Sequence, residues 1–163
     1  KPRIIVCNVD EKSLQSGNKY SDSCRKKFPE ENIIIVCADI EDQIMGLQAK
    51  DRKDFMLESG IKSTGLDNLI KTGYTALGLS TFFTSGPEES RAWTIEKKSK
   101  AMDAAGVIHT DFKKKFIRAE TVSHKDFIQY KGFNECKNAG KLRLEGKDYL
   151  VNDGDIMLFR VGS

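Results

Sequence analysis

The stretch Arg3-Ile4-Ile5-Val6-Cys7-Asn8-Val9-Asp10-Glu11 sets an unbroken apolar run directly before a short loop, and Ile33-Ile34-Ile35-Val36-Cys37-Ala38 repeats the arrangement 30 residues later. Continuous β-branched runs of this kind suit parallel strands buried on both faces, and the polar segment Tyr20 to Phe28 between them reads as the crossover. This is an α/β pattern. A helix is expected over Asp42 to Leu57, stopped by Gly60, and a second one capped by Ser63 or Thr64. In the second helix Leu66, Leu69, Ile70, Tyr74 and Leu77 recur at three- and four-residue steps, which predicts a core-facing stripe ending near Gly78.

After Gly78 the texture changes. Strands are expected at Leu79 to Thr84, Arg91 to Ile95, Phe116 to Val122, Leu142 to Leu144, Tyr149 to Val151 and Ile156 to Val161. A short helix at Lys100 to Ala105, closed by Gly106, interrupts them, and Ser123 with Asp126 as its capping partner starts another turn. Gly86-Pro87, Glu145-Gly146 and Asp153-Gly154 are turn dipeptides, the last two fitting hairpins. The order of strand, strand, helix and further strands is that of an α+β, β-grasp (ubiquitin-like) domain. Two parts result, residues 1–77 and residues 78–163. A first strand that opens the chain without a preceding cap fits a piece of a longer protein.

With 39% hydrophobic and 31% charged residues, the 163-residue chain has the composition of a globular protein and no apolar stretch near the roughly 20 residues of a membrane helix. Cys7, Cys24, Cys37 and Cys136 form no CxxC pair and do not cluster with His109 or His124, so no metal site is expected. Cys7 and Cys37 end apolar runs, where a reduced thiol acts as a small core residue, which fits a reducing cytoplasm. Residues 1–77 hold 12 Lys/Arg and 12 Asp/Glu, against 15 and 12 in residues 78–163, so the net charge of +3 lies wholly in the second part.

Loops at the carboxyl ends of strands in an open α/β sheet are where ligands bind. In guanine-binding P-loop proteins such a loop carries Asn, then Lys, then an Asp that accepts the two donors of guanine. Here Val9 stands in place of the Lys and Glu11 in place of the Asp, which leans specificity away from GTP. Asn8 is expected to tie the loops together, Val9 to offer its backbone and apolar side to a base, and Cys37-Ala38 to supply the second base-facing loop. No Gly-x-x-x-x-Gly-Lys-Ser/Thr cradle for phosphates occurs, and Ala139-Gly140-Lys141-Leu142 reads as a turn. No catalytic residue is recognised. His109 reads as a hydrogen-bonded turn residue.

The second candidate surface is basic: Lys97, Lys98, Lys100, Lys113, Lys114, Lys115 and Arg118, followed by Lys131, Lys137, Lys141, Arg143 and Lys147. Phe112, Phe116, Tyr130 and Phe133 are interleaved with these charges, a mixture suited to phosphate attraction with contact to bases or a ribosomal surface.

Nearly end to end, the chain resembles the C-terminal portion of the YchF family of Obg-like ATPases. The motifs include Asn8-Val9-Asp10-Glu11, Gly17-Asn18, Val36-Cys37-Ala38, Gly65-Leu66, Gly73-Tyr74 and Thr81-Phe82-Phe83-Thr84. They continue through Arg91-Ala92-Trp93-Thr94-Ile95, Ala104 to Phe112, Phe116-Ile117-Arg118-Ala119-Glu120, Glu145 to Tyr149 and Asp153-Gly154-Asp155. The resemblance implies a cytoplasmic, ribosome-associated ATPase that prefers ATP over GTP. Residues 1–77 would then be the C-terminal part of its P-loop NTPase (G) domain, and residues 78–163 a TGS domain of β-grasp fold. It implies nucleotide contacts at Asn8, Val9, Glu11, Cys37 and Ala38, ribosome or RNA contacts through the basic surface, and no membrane or DNA partner. ATP with Mg²⁺ would serve the full-length protein, the Mg²⁺ ligands and P-loop lying outside this chain, which alone would be inactive. The alternative is a non-catalytic β-grasp adaptor for RNA or the ribosome. Lys115 departs from the family pattern, which has Gly there, and a Lys entering a left-handed turn would strain the expected hairpin.

Overall fold

A computed structural model describes residues 2–162 and divides the chain into two compact units, Lys1–Leu77 and Gly78–Ser163. In the first unit, β1 (Ile4–Asn8) and β2 (Asn32–Val36) pair in parallel, with Cys7 opposite Ile35 and Asn8 opposite Val36. The crossover is α1 (Lys19–Lys27). Its N-terminus is fixed reciprocally, the Asn18 side chain accepting from Tyr20 and Ser21 N–H while Ser21 Oγ accepts from Asn18 N–H.

The expected helix over Asp42 to Leu57 is two helices, α2 (Ala38–Gly46) and α3 (Ala49–Glu58), separated by extended Leu47 and Gln48. A break mid-helix strands carbonyls that need donors. Arg52 supplies them, its Nε donating to the Leu47 carbonyl and its Nη2 to the Met45 carbonyl, each at 3.0 Å. The next helix, α4 (Gly65–Ala76), is capped by Thr64, whose Oγ1 accepts from Asp67 N–H at 3.0 Å. Its expected core stripe is only partly covered: Leu66, Ile70 and Leu77 are exposed.

The second unit holds a five-stranded sheet. Its strands are β3 (Leu79–Ser85), β4 (Ser90–Glu96), β5 (Phe116–Ser123), β6 (Arg143–Glu145) and β7 (Asp155–Val161), in spatial order β4-β3-β7-β5-β6. First and last strands, β3 and β7, run parallel at the centre and the other neighbours are antiparallel. The core joins Phe82, Ile95, Ala119 and Met157 of the strands to Ala101 and Ala104 of α5 (Ala101–Ile108), whose small side chains permit close packing. Phe159 meets Phe82 and Phe116 edge-on, at ring separations of 5.9 and 6.1 Å.

Several expectations for this unit are corrected. Gly106 does not end α5, which runs to Ile108; it faces Lys113 of the short helix α6 (Thr110–Lys114), where an added Cβ would lie 3.2 Å from that side chain. Because α6 occupies the expected hairpin, Lys115 has φ −103° and no left-handed strain. Residues 149–151 form no strand beyond a single bridge from Leu150 to Lys100, since Tyr149 turns to pack on the core. The Asp153-Gly154 turn makes no hairpin either: it is bound to β3, Gly154 N–H donating to the Thr81 carbonyl and Thr81 N–H to Asp153 Oδ1, both at 2.8 Å. Ser123 caps α7 (His124–Tyr130) through Asp126, as expected, and α8 (Phe133–Asn138) is a further helix that the sequence reading missed.

Candidate functional site

At the carboxyl ends of β1 and β2 the two loops are stitched together. Val9 N–H donates to the Val36 carbonyl at 2.8 Å, and Asn8 Oδ1 accepts from Ala38 N–H at 3.0 Å. The second bond has a clear physical cause. Cys37 is the residue that precedes α2 and has no side-chain oxygen to cap it, so the first helical N–H turns to Asn8 of the neighbouring strand.

Asp10 and Glu11 then divide their tasks. Asp10 caps the single 3₁₀ turn Glu11–Ser13, its Oδ1 accepting from Ser13 N–H at 2.9 Å, and hydrogen bonding to Ser13 holds its carboxyl below the usual range. Glu11 begins that turn exposed to solvent, and its carboxylate makes no hydrogen bond or ion pair among the described residues. Of the five expected base contacts, Asn8, Glu11 and Ala38 are exposed around the junction, whereas Cys37 is buried. Val9 differs from its expected role. Its side chain is buried and its N–H is committed to Val36, so it anchors the loop and does not present an apolar face.

The basic candidates of the second unit do not form one surface. Lys97 N–H bonds the Gly78 carbonyl at the start of β3, and β3 lies level with β7 where Phe83 meets Ile156. Counting along these parallel strands from that level puts Lys97 and Lys98 about 30 Å from Arg118 and Arg160, at about 3.3 Å per residue. The other end is concentrated. Arg118 stands opposite Arg160 across β5 and β7, an unfavourable pairing of like charges. Glu120 relieves it by accepting from Arg160 Nε at 2.9 Å and Nη2 at 3.3 Å.

That bidentate bond, and secondarily the positive charges of Arg160, Arg118 and Lys137, keep the Glu120 carboxyl below its usual range. Three cations therefore surround one carboxylate. Lys115 joins the same end through its carbonyl, which accepts from Gly162 N–H at 2.8 Å, while Lys113 is paired with Asp103 at 2.8 Å. Arg160 was missed in the sequence reading, because only strand register brings it beside Arg118. Two of the interleaved aromatics serve packing: Phe116 lies against the core and Phe133 against Phe127, at a ring separation of 5.4 Å.

His109 caps α6, its Nδ1 accepting from Asp111 N–H at 3.2 Å. Among the described residues no group of three or more His, Cys, Asp or Glu side chains could hold a metal ion, and no helix is long and apolar enough to cross a membrane.

Residues 79–162 match the family YchF-GTPase_C, described as "Protein of unknown function (DUF933)". The chain belongs to the YchF family. It is 48% identical over 162 residues to the ribosome-binding ATPase YchF of Haemophilus ducreyi, covering 98% of this chain and 44% of that protein. It is 41% identical over 165 residues to the Obg-like ATPase 1 of Pongo abelii, covering 98% of this chain and 41% of that one. The structure of the Schizosaccharomyces pombe YchF GTPase superposes with a TM-score of 0.83 at 36% identity, over 98% of this chain and 43% of that one. The chain thus spans less than half the length of the YchF relatives that it matches. A mixed α/β fold like that of the YchF structure is what the two units share with the family.

Proposed function

We propose that this chain is the base-recognition and docking portion of a ribosome-associated YchF-like protein that binds and hydrolyses ATP. The observation that carries the reading is the Asn8 to Ala38 hydrogen bond, which joins two loops at the carboxyl ends of parallel strands and leaves the Glu11 carboxylate in solvent beside them. Adenine presents a donor at N6 beside an acceptor at N1. Glu11 can accept from the N6 amino group and the second loop can contact the ring edge near Ala38, with Val9 and Cys37 packed behind them. The names of the relatives, ribosome-binding ATPase and Obg-like ATPase, support the same reading.

The residues present fit the base and not the phosphates. No glycine-rich phosphate cradle occurs in the sequence. On this reading nucleotide hydrolysis is assigned to other residues of the full-length protein, where phosphate and Mg²⁺ contacts would supply most of the affinity. Residues 1–77 are read as the C-terminal part of the nucleotide-binding G domain. Residues 78–163 are read as a TGS domain of β-grasp fold, a reading supported by the sheet order with parallel first and last strands at its centre.

The cluster of Arg118, Arg160 and Lys137 about Glu120 favours phosphate docking by this second unit, and it would serve a non-catalytic adaptor equally well. Calorimetry on the full-length protein separates the two. Glu11→Ala is expected to weaken ATP binding about tenfold, or about 1.4 kcal/mol, while residues 1–163 alone show no tight ATP binding. Unchanged ATP affinity in Glu11→Ala, together with loss of ribosome co-sedimentation in Arg118→Glu, would favour the adaptor.

A further inference from the structure

We propose that Cys7 and Cys24 are a dithiol site that closes to a reversible disulfide, tying α1 to β1 directly beneath the loop at Asn8. The placement rests first on the sheet. Cys7 is registered opposite Ile35, so their side chains share one face of the β1–β2 pair. Helix α1 covers that face. An added Cβ at Gly17, where φ is +78°, would meet Ser21 Oγ, lie 2.9 Å from Ile35 Cδ1 and lie 3.4 Å from Arg25 Nη1. Farther down the same face, Arg3 stacks its guanidinium over Phe28 at 6.0 Å and donates from Nε to Glu31 at 2.9 Å.

Strand residues 3 and 7 share a face, and helix residues 21, 24, 25 and 28 share another by three- and four-residue spacing. With Ser21 and Arg25 near Ile35, and Phe28 near Arg3, Cys24 is the helix residue that falls over Cys7. Cys24 is accordingly close enough to act on the Cys7 thiol. Both are half-buried and reachable, whereas Cys37 and Cys136 are buried. Burial first, then the contact with Cys24, pushes the Cys7 thiol up, which makes it the resolving partner and not the first nucleophile.

The chemistry balances with a low-molecular-weight disulfide such as oxidised glutathione. The Cys24 thiolate attacks one glutathione sulfur, forming a mixed disulfide and releasing one glutathione thiol. Cys7 then attacks the Cys24 sulfur, its proton passing to solvent, and the second glutathione leaves. Two protein thiols are oxidised and one glutathione disulfide is reduced. The closed bond would hold Asn8 between the crosslink at Cys7 and its own bond to Ala38.

The test uses the 163-residue chain, folded, treated with oxidised glutathione, then alkylated and mapped by mass spectrometry without reduction. The expected result is one intrachain Cys7–Cys24 crosslink, with two of the four thiols lost at the same rate and recovered by dithiothreitol. Cys7→Ser is expected to accumulate glutathione on Cys24. Phenylarsine oxide, which bridges neighbouring thiols, is expected to bind one equivalent per chain and to lose that site in either Cys7→Ser or Cys24→Ser. A stable glutathione adduct on Cys24 in the unsubstituted chain, a different cysteine pairing, or no loss of thiols would overturn the proposal. None of these readouts involves nucleotide, so the outcome is independent of the function proposed above.

Discussion

In Gly78–Ser163 five strands and a helix enclose Phe82, Val122 and Met157 completely, whereas in Lys1–Leu77 two strands leave Leu57 80% exposed and Leu77 65% exposed. Among the described residues the first unit sets a pair of strands beside four helices, and two-stranded sheets are marginal without further packing. The first unit accordingly depends more on local polar devices: the Asn18 box, the Arg52 clamp on the Met45 and Leu47 carbonyls, and the Asn8 bond to Ala38. The second depends on close packing, with alanines at 101, 104, 105 and 119 fully buried.

The largest expected effect lies in the packed unit. Phe82→Ala removes a fully buried ring in contact with Trp93 and Phe159 and is expected to cost about 3–5 kcal/mol. Denaturant unfolding followed by the fluorescence of Trp93, the one tryptophan, measures it. A loss under 1 kcal/mol would erase the contrast between the units. In the first unit, Asn8→Ala is expected to cost about 1 kcal/mol, typical of a lost helix cap. Hydrogen exchange should rise at Ala38 with little change in β5 and β7; equal acceleration in both units would count against a local device.

The smallest effect belongs to the basic end of the sheet. Arg160 is half exposed, so solvent screens its pair with Glu120 and the pair contributes the least of the three. Because the folded Glu120 carboxyl is held below its unfolded value, that stability is present above about pH 4.5 and lost as pH falls through the folded value. Glu120→Gln is expected to flatten this acid limb, and an unchanged limb would show that the pair carries no linkage.

Much of this was legible in the residues. The β-branched runs at Ile4 and Ile33, the capping signals at Thr64 and Ser123, and the change of texture after Gly78 all became structure, because each rests on local preference or short-range pattern. Asn8 as the tie between two loops was legible as well, since Asn has the acceptor that an uncapped helix start at Cys37 requires. The errors arose where distant partners overrode local preference. Arg52 made a helix break tolerable, α6 replaced a hairpin, and Tyr149 left a strand pattern to join the core.

By itself, the sequence determined the family, the succession of strands and helices in outline, and the absence of a phosphate cradle within these residues, because motif order and periodicity are properties of the chain. Tertiary structure alone decided which charges meet. Arg118 faces Arg160 across 42 residues, because strand register depends on how buried surfaces fit together.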